Sequence, residues 1–342
     1  MSDANTRETV QMPWLDQPLQ RIAERYRDGR LPHALLIRGG RGIGKRRFAE
    51  VIAGLLLCSQ PTGSRACGQC RQCLLVQAGS HSDLRTVTPD PERKTPIISI
   101  AQIRSLTEFA FGSAQVAHRK VAIIDRADQL NINAANALLK TLEEPPEDVT
   151  LLLVQESGRP LLPTINSRCQ QILMACPGDD EALQWLKTSA GPDADPDSLR
   201  RALALAGGAP RLALEMLSSG IIECQTEAEE GFRRFLKSQQ SVSDTSCQFK
   251  KLELEGALAL MDSWLLQMAR LAAGGDESGL PFTEVLKYLV SVNPPHRIYD
   301  LLEATRETRR TMTYNANPEL EIQRLLFYWK ALMPARKERS PG

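Results

Sequence analysis

The sequence predicts an α/β domain with a parallel sheet and a phosphate-binding loop, an inserted cysteine module, and an all-helical C-terminal half. Three observations predict it. A buried strand, a glycine loop and an apolar-rich helix follow one another over residues 33–57. Four further short apolar runs alternate with helical patterns as far as residue 174, the pattern of a parallel sheet covered on both faces. From about residue 177 the strand signals vanish and amphipathic helices take over.

The elements follow in order. Residues 33–38 read as the first strand and 46–57 as a helix, with Phe48, Ile52, Leu55 and Leu56 at helical spacing. The cysteine module comes next, then a second strand over 84–88. Ser99 and Gln102 stand at capping-box spacing and open a helix with Ile100, Ile103, Leu106 and Ala110 on one side. Residues 120–125 form a third strand that runs into a carboxylate. A helix over 133–144 carries Ala135, Leu138, Leu139 and Leu142 on one face, and Pro145-Pro146 stops it. Strands over 149–154 and 171–174 complete the sheet. Beyond it, 182–186 and 199–217 read as helices interrupted at Gly207-Gly208, 238–246 as a polar, serine-rich link, and 335–342 as a charged tail. Two long helices carry apolar stripes, Leu254, Leu258, Met261, Leu265 and Met268 on one, and Ile322, Leu325, Leu326 and Trp329 on the other. Such stripes fit either an oligomer collar or an ordinary intrachain bundle.

Composition sets the bounds. The 342 residues suffice for two or three domains. Residues 1–175 carry a net charge of +5 and the remainder −4, which gives +1 for the chain. So mild an asymmetry argues against a dedicated DNA-coating protein. No apolar run reaches the length of a membrane span. Residues 1–9 are polar and lack the apolar core of a secretory signal, so a cytoplasmic location and no membrane partner are expected. Eight cysteines in that compartment point to metal or to buried thiols rather than disulfides.

Residues 39–46, Gly-Gly-Arg-Gly-Ile-Gly-Lys-Arg, match the phosphate-binding loop except in the last position. Backbone N–H groups of Gly39, Gly42 and Gly44 at a helix start would cradle phosphate, and Lys45 would add a point charge. The eighth position calls for a hydroxyl that holds the magnesium of a bound nucleotide; Arg46 offers a cation and no acceptor. The partner motif is a pair of acids after a buried strand. Here Asp125 is present, but Arg126 stands where the water-activating acid belongs, and an arginine cannot act as a base. Two independent losses argue against hydrolysis. Whether ATP or ADP binds at all stays open, and the site reads equally as vestigial.

Cys67, Cys70 and Cys73 lie within seven residues, with Cys58 nine residues upstream. Four thiolates suffice for a closed tetrahedral site, so a structural zinc is expected, with His81 as a substitute ligand if Cys58 points elsewhere. An iron–sulfur cluster is the weaker option. Cys169, Cys176, Cys224 and Cys247 are dispersed and expected to be buried thiols.

Residues 159–169 end in Ser167-Arg168-Cys169. A surface arginine in a salt bridge is the plain reading of Arg168. The sharper one is an arginine finger that stabilises transferring phosphate in a neighbouring chain. With this segment, the loop at 39–45, the four cysteines and the run from Ala134 to Pro146, the chain closely resembles bacterial clamp-loader subunits of the AAA+ superfamily. The resemblance is specific over about residues 13–215 and weaker beyond. It implies a nucleotide-fold domain over 1–175 carrying a zinc module at 58–73, a helical lid over 176–218, a helical collar over 219–335 and a tail over 336–342. It implies a largely non-hydrolysing subunit of a loader that places a sliding clamp on primed DNA within a DNA polymerase holoenzyme. Its partners would be the loader's ATPase subunits and its delta subunit, and Arg168 would act in trans on a neighbour's ATP. Arg211 falls where the family's second sensor arginine lies, and reads equally as a helix-surface arginine. Gln155-Glu156 departs from the threonine expected after the fourth strand. Two rivals remain at this level: an active ATPase motor subunit, and a zinc-bearing DNA-binding module whose nucleotide fold is structural only.

Overall fold

The computed structural model describes residues 11–90, 96–156, 161–274, 282–311 and 317–334. The polar start at 1–9, Arg159, and the tail at 336–342 lie outside them. The chain divides into two compact units, Met1–Ser189 with Gly208–Leu212, and Ala190–Gly207 with Ala213–Gly342. The segment expected as a lid, 176–218, is shared between them. No helix among the described residues is long and apolar enough to cross a membrane.

In the first unit a short 3-10 turn (Pro13–Leu15) leads into α1 (Asp16–Arg27), followed by β1 (Ala34–Gly39), α2 (Lys45–Leu57), α3 (Arg71–Gln77), β2 (Leu84–Val87), α4 (Ile100–Phe111), β3 (Lys120–Ile124), α5 (Ile132–Glu143), β4 (Val149–Val154), α6 (Pro163–Asn166), β5 (Gln170–Met174) and α7 (Asp179–Ala190). The five strands form one sheet in the order β2-β3-β4-β1-β5, and every pairing is parallel. The central strands are buried along their length, as continuous apolar runs require. Leu36, Ala122, Ile124, Leu151 and Leu153 share a core with α4 and α5, while α2 packs on β1, β3 and β4. Local chemistry sets the helix starts. Ser99 and Gln102 close a full capping box on α4. Asn131 caps α5 by accepting from Ala134 N at 2.8 Å, which starts that helix one residue before the expected 133.

One buried carboxylate ties the sheet to a loop. Asp83, fully buried at the start of β2, accepts from the backbone N–H groups of Gln115, Val116 and Ala117 at 2.7, 2.7 and 2.8 Å. Burial pushes its carboxyl up, but the three donors outweigh burial and hold it below the usual range.

The second unit comprises α8 (Pro196–Leu205), most of α9 (Pro210–Ser218), α10 (Ile221–Leu236), α11 (Val242–Lys250), α12 (Glu253–Ala272), α13 (Thr283–Val292), α14 (Pro295–Thr311) and α15 (Pro318–Ala331). The serine-rich stretch read as a link holds a helix instead. Ser241 accepts from Asp244 N at 3.0 Å and caps α11, so its polar residues begin a helix rather than bridge two. An aromatic cluster fills the core: Phe232 stacks on Trp264 at 4.8 Å and meets Trp329 edge-on at 5.3 Å. Both apolar stripes point into this core, so the intrachain bundle accounts for them. The exposed apolar residues of α15 are a different set, Leu320, Phe327 and Tyr328. Cys176 and Cys247 are exposed, against expectation, one in the loop after β5 and the other on the outer face of α11; Cys169 is buried and Cys224 half-buried.

Two stability predictions follow from these contacts. Asp83→Ala strands three backbone donors and should cost about 2–4 kcal/mol in chemical denaturation at neutral pH. Because the folded carboxyl titrates below the unfolded one, its stabilisation is full above about pH 4 and is lost as the pH falls further. The gap between Asp83→Ala and wild type should therefore narrow at pH 3. Phe232→Ala should cost about 3–5 kcal/mol in the same measurement, since a centrally packed ring leaves a cavity on every side.

Candidate functional site

The carboxyl ends of β1, β4 and β3 lie side by side, and each feeds one part of the site. After β1 the glycine loop turns into α2. Gly42 and Gly44 both take positive φ, +77° and +93°, which L side chains rarely adopt. A Cβ at Gly42 would stand 2.4 Å from the Cβ of Leu212 and 2.7 Å from its backbone N, which leaves no room for one, whereas one at Gly44 would press on the movable end of the Met12 side chain. The loop is tied down elsewhere as well. Trp14 Nε1 donates to the Ile43 carbonyl at 2.9 Å, and the Trp14 ring meets Trp185 edge-on at 5.5 Å. Arg211 N donates to the Gly42 carbonyl at 3.0 Å. Arg211 therefore touches the loop through its backbone.

Lys45 is buried in its own loop. Its Nζ donates to the carbonyls of Gly39 and Gly40 at 2.9 and 2.5 Å and stands 3.6 Å from Glu156 Oε1. Burial lowers its pKa, and the Glu156 carboxylate partly offsets that. Glu156, just after β4, is positioned in turn by Asp128, whose Oδ1 accepts from Glu156 N at 2.8 Å. At the end of β3, Asp125 is buried. Its Oδ2 receives Arg46 Nη1 at 3.2 Å, and Arg46 Nε donates to Glu50 Oε1 at 3.1 Å. Arg126 is exposed in a left-handed conformation. The sequence thus gave the parts of this site but not their pairing. The Arg46–Glu50 contact was legible as an i, i+4 pair. Arg46–Asp125 and Lys45–Glu156 depend on strand order and were missed. These residues do not fit a magnesium-bound nucleotide, since a guanidinium lies on the carboxylate that would orient the metal.

The four cysteines do converge. The sulfurs of Cys58, Cys67, Cys70 and Cys73 all lie within 4.8 Å of one another. The Cys58–Cys70 and Cys67–Cys73 pairs are 3.9 Å apart, and Cys70–Cys73 is 3.5 Å. Sulfurs at about 2.3 Å from a tetrahedral zinc would be roughly 3.8 Å apart, so the set fits such an ion. Hydrogen bonding, from Ser59 first, lowers the Cys70 thiol to about 5 against burial. Burial and the neighbouring sulfurs push Cys73 up to about 12. Four crowded sulfurs resist ionising together unless a cation joins them, so this group could hold a metal ion. His81 is outside the group. It is buried, and its Nδ1 accepts from Asp83 N at 3.0 Å.

Arg168 lies between α6 and β5, at the amino edge of the sheet. Its Nη2 pairs with Glu143 Oε1 at 2.6 Å, and Nη1 donates to the Thr164 carbonyl at 3.0 Å. Gln170, two residues on, is in register with Leu35, at the opposite end of β1 from Gly39. Four strand steps of about 3.3 Å put roughly 13 Å between those ends, and Arg168 lies beyond the far one. Arg168 therefore does not approach the chain's own glycine loop.

Sequence comparison places this geometry in a family. The model of a family described as DNA polymerase III, delta subunit, matches residues 14–177. DNA polymerase III subunit delta′ of Pseudomonas aeruginosa is 35% identical over 305 residues, which span 88% of this chain and 92% of that protein. Subunit delta′ of Yersinia pestis is 29% identical over 329 residues, 94% and 96% of the two. DNA polymerase III subunit tau/gamma of Haemophilus influenzae is 34% identical over 165 residues, but these make up 48% of this chain and 23% of that protein. Since the match to subunit delta′ runs nearly the full length of both chains, this chain belongs to the DNA polymerase III subunit delta′ family.

Proposed function

We propose that this chain is a non-hydrolysing subunit of the DNA polymerase III clamp loader, an AAA+ assembly that places the sliding clamp on primed DNA. The near full-length identity with subunit delta′ carries the reading. The likeness to tau/gamma over 48% of the chain supports assembly beside ATPase subunits of related fold. Residues 1–175 act as the nucleotide-fold domain, 176–218 as the lid and 219–335 as the collar. Leu320, Phe327 and Tyr328 on α15 offer exposed apolar surface for collar contacts.

Arg168 acts as an arginine finger on ATP held by a neighbouring motor subunit. Its place at the sheet edge away from its own loop supports action in trans. The Arg168–Glu143 pair is partly exposed, with side chains 34% and 48% accessible, so it is worth at most about 1 kcal/mol and yields readily to a phosphate. Arg46 and Arg126 leave hydrolysis to the partner chains. In a reconstituted loader, Arg168→Ala should lower DNA- and clamp-stimulated turnover at the served site by about 10³-fold with the complex still assembled. Arg168→Lys should rescue little of it, because an ammonium lacks the planar fork. Unchanged turnover would remove the finger assignment, and ATP hydrolysis by the purified chain alone would favour a motor subunit.

Zinc is the ion we assign to Cys58, Cys67, Cys70 and Cys73, in a structural role, because four thiolates leave no open position. Cobalt substitution should give thiolate-to-metal charge-transfer absorption with four-sulfur tetrahedral bands. Cys58→Ala should weaken both bands and heat stability, whereas His81→Ala should leave the bands in place. Bands that vanish in His81→Ala would reassign the fourth ligand.

A further inference from the structure

Arg46 does more than replace a magnesium-holding hydroxyl. In a working phosphate-binding loop, the hydroxyl at this position and the carboxylate after the buried strand bracket a divalent ion. Here the guanidinium itself reaches that carboxylate, with Nη1 at 3.2 Å from Asp125 Oδ2. Its other side is fixed by Glu50, with Nε at 3.1 Å from Oε1, and Arg47 Nη1 approaches the second Glu50 oxygen at 3.5 Å. The pair is asymmetric in exposure: the Asp125 side chain is 12% accessible and that of Arg46 55%. A nearly buried carboxylate is thus neutralised by a cation that enters from the solvent side.

The rest of the loop is satisfied in the same way. Lys45 is engaged by Gly39, Gly40 and Glu156, and Asp128 by the Glu156 backbone. Lys45, Arg46, Asp125 and Asp128 each have an opposite charge or a backbone dipole from this chain. Magnesium requires oxygen ligands at about 2.0–2.1 Å in near-octahedral order and keeps several waters. It cannot take its place on Asp125 while a guanidinium nitrogen holds the same oxygen, and the two cations repel. Simple loss of a metal site would have left Asp125 as a buried carboxylate with only the weaker attraction of Lys45 to offset its charge, a costly arrangement.

We infer that Arg46 is a resident cation that takes the place of the divalent metal on Asp125, closing this loop to metal-bound nucleotide and turning a catalytic carboxylate into a structural one. The inference is independent of the role given to Arg168, since a loader with a working finger and an open metal site is chemically consistent. The test uses the full chain with manganese as a paramagnetic probe, with ADP present. Wild type should show no ADP-dependent manganese binding. Arg46→Thr, which restores the hydroxyl, should bind manganese with ADP at least tenfold more tightly. Equal affinities in the two chains, whether both measurable or both undetectable, would overturn the inference. A second measurement covers an Arg46→Thr chain that does not fold. In thermal unfolding, Arg46→Met and Asp125→Asn should each lower the midpoint, and the double variant should fall no further than the worse single one. Additive losses would show that the two side chains do not act as a pair.

Discussion

The parallel register of β1, β4 and β3 is the constraint on which the rest of the first unit depends. Because the strands run the same way, their carboxyl ends deliver Gly39–Lys45, Glu156 and Asp125 to one edge, and the amino ends of β5 and β4 leave Arg168 and Glu143 at the other. Neither set is close in sequence. The pairing of β3 with β4 and of β4 with β1 sets which residues face α2 and which face α4 and α5. Asp83 reinforces the same sheet from its edge by holding residues 115–117 against the start of β2.

On that frame, the two edges of the sheet have different electrostatic character. At the carboxyl edge Lys45 and Arg46 are paired within the chain, and Arg126 is exposed. Lys45 is buried and held by carbonyls of its own loop, and Arg46 is held between Asp125 and Glu50. At the amino edge Arg168 is held by one partly exposed carboxylate and one carbonyl. Charge–charge attraction near water is weak and is lost cheaply, whereas a desolvated ammonium that leaves its partners is costly. Arg168 can therefore leave its partners at less cost than the desolvated Lys45, and it lies at the edge far from the glycine loop.

Local chemistry was legible in the sequence, and tertiary pairing was not. The capping box at Ser99, the stop at Pro145-Pro146 and the strand over 149–154 each depend on neighbouring residues, and each is found in place. The four cysteines were legible because their ligand spacing is itself local. The helix at Val242–Lys250 was missed because serines that cap a helix also compose linkers, and composition alone cannot separate the two. The apolar stripes showed which helix faces are buried but not against what, and the core around Phe232, Trp264 and Trp329 supplies that answer. The pairings of Arg46 with Asp125 and of Lys45 with Glu156 span 79 and 111 residues, and only the strand order brings them together.

The glycine loop of this nucleotide fold also has a mechanical role. The glycine loop anchors the start of α2, and it is held by Trp14 and by the backbone of Arg211. The helix α2 covers the face of the sheet on which β1, β3 and β4 meet. β1 pairs with β5, the strand that follows Arg168, and α5 ends at Glu143, which holds that arginine. The finger role proposed for Arg168 requires that it be carried on rigid elements, so that it arrives in one geometry. Ion pairs from within the chain link the glycine loop and α2 to the ends of β3 and β4. The loop that resembles a catalytic site thus acts as part of the frame that positions Arg168.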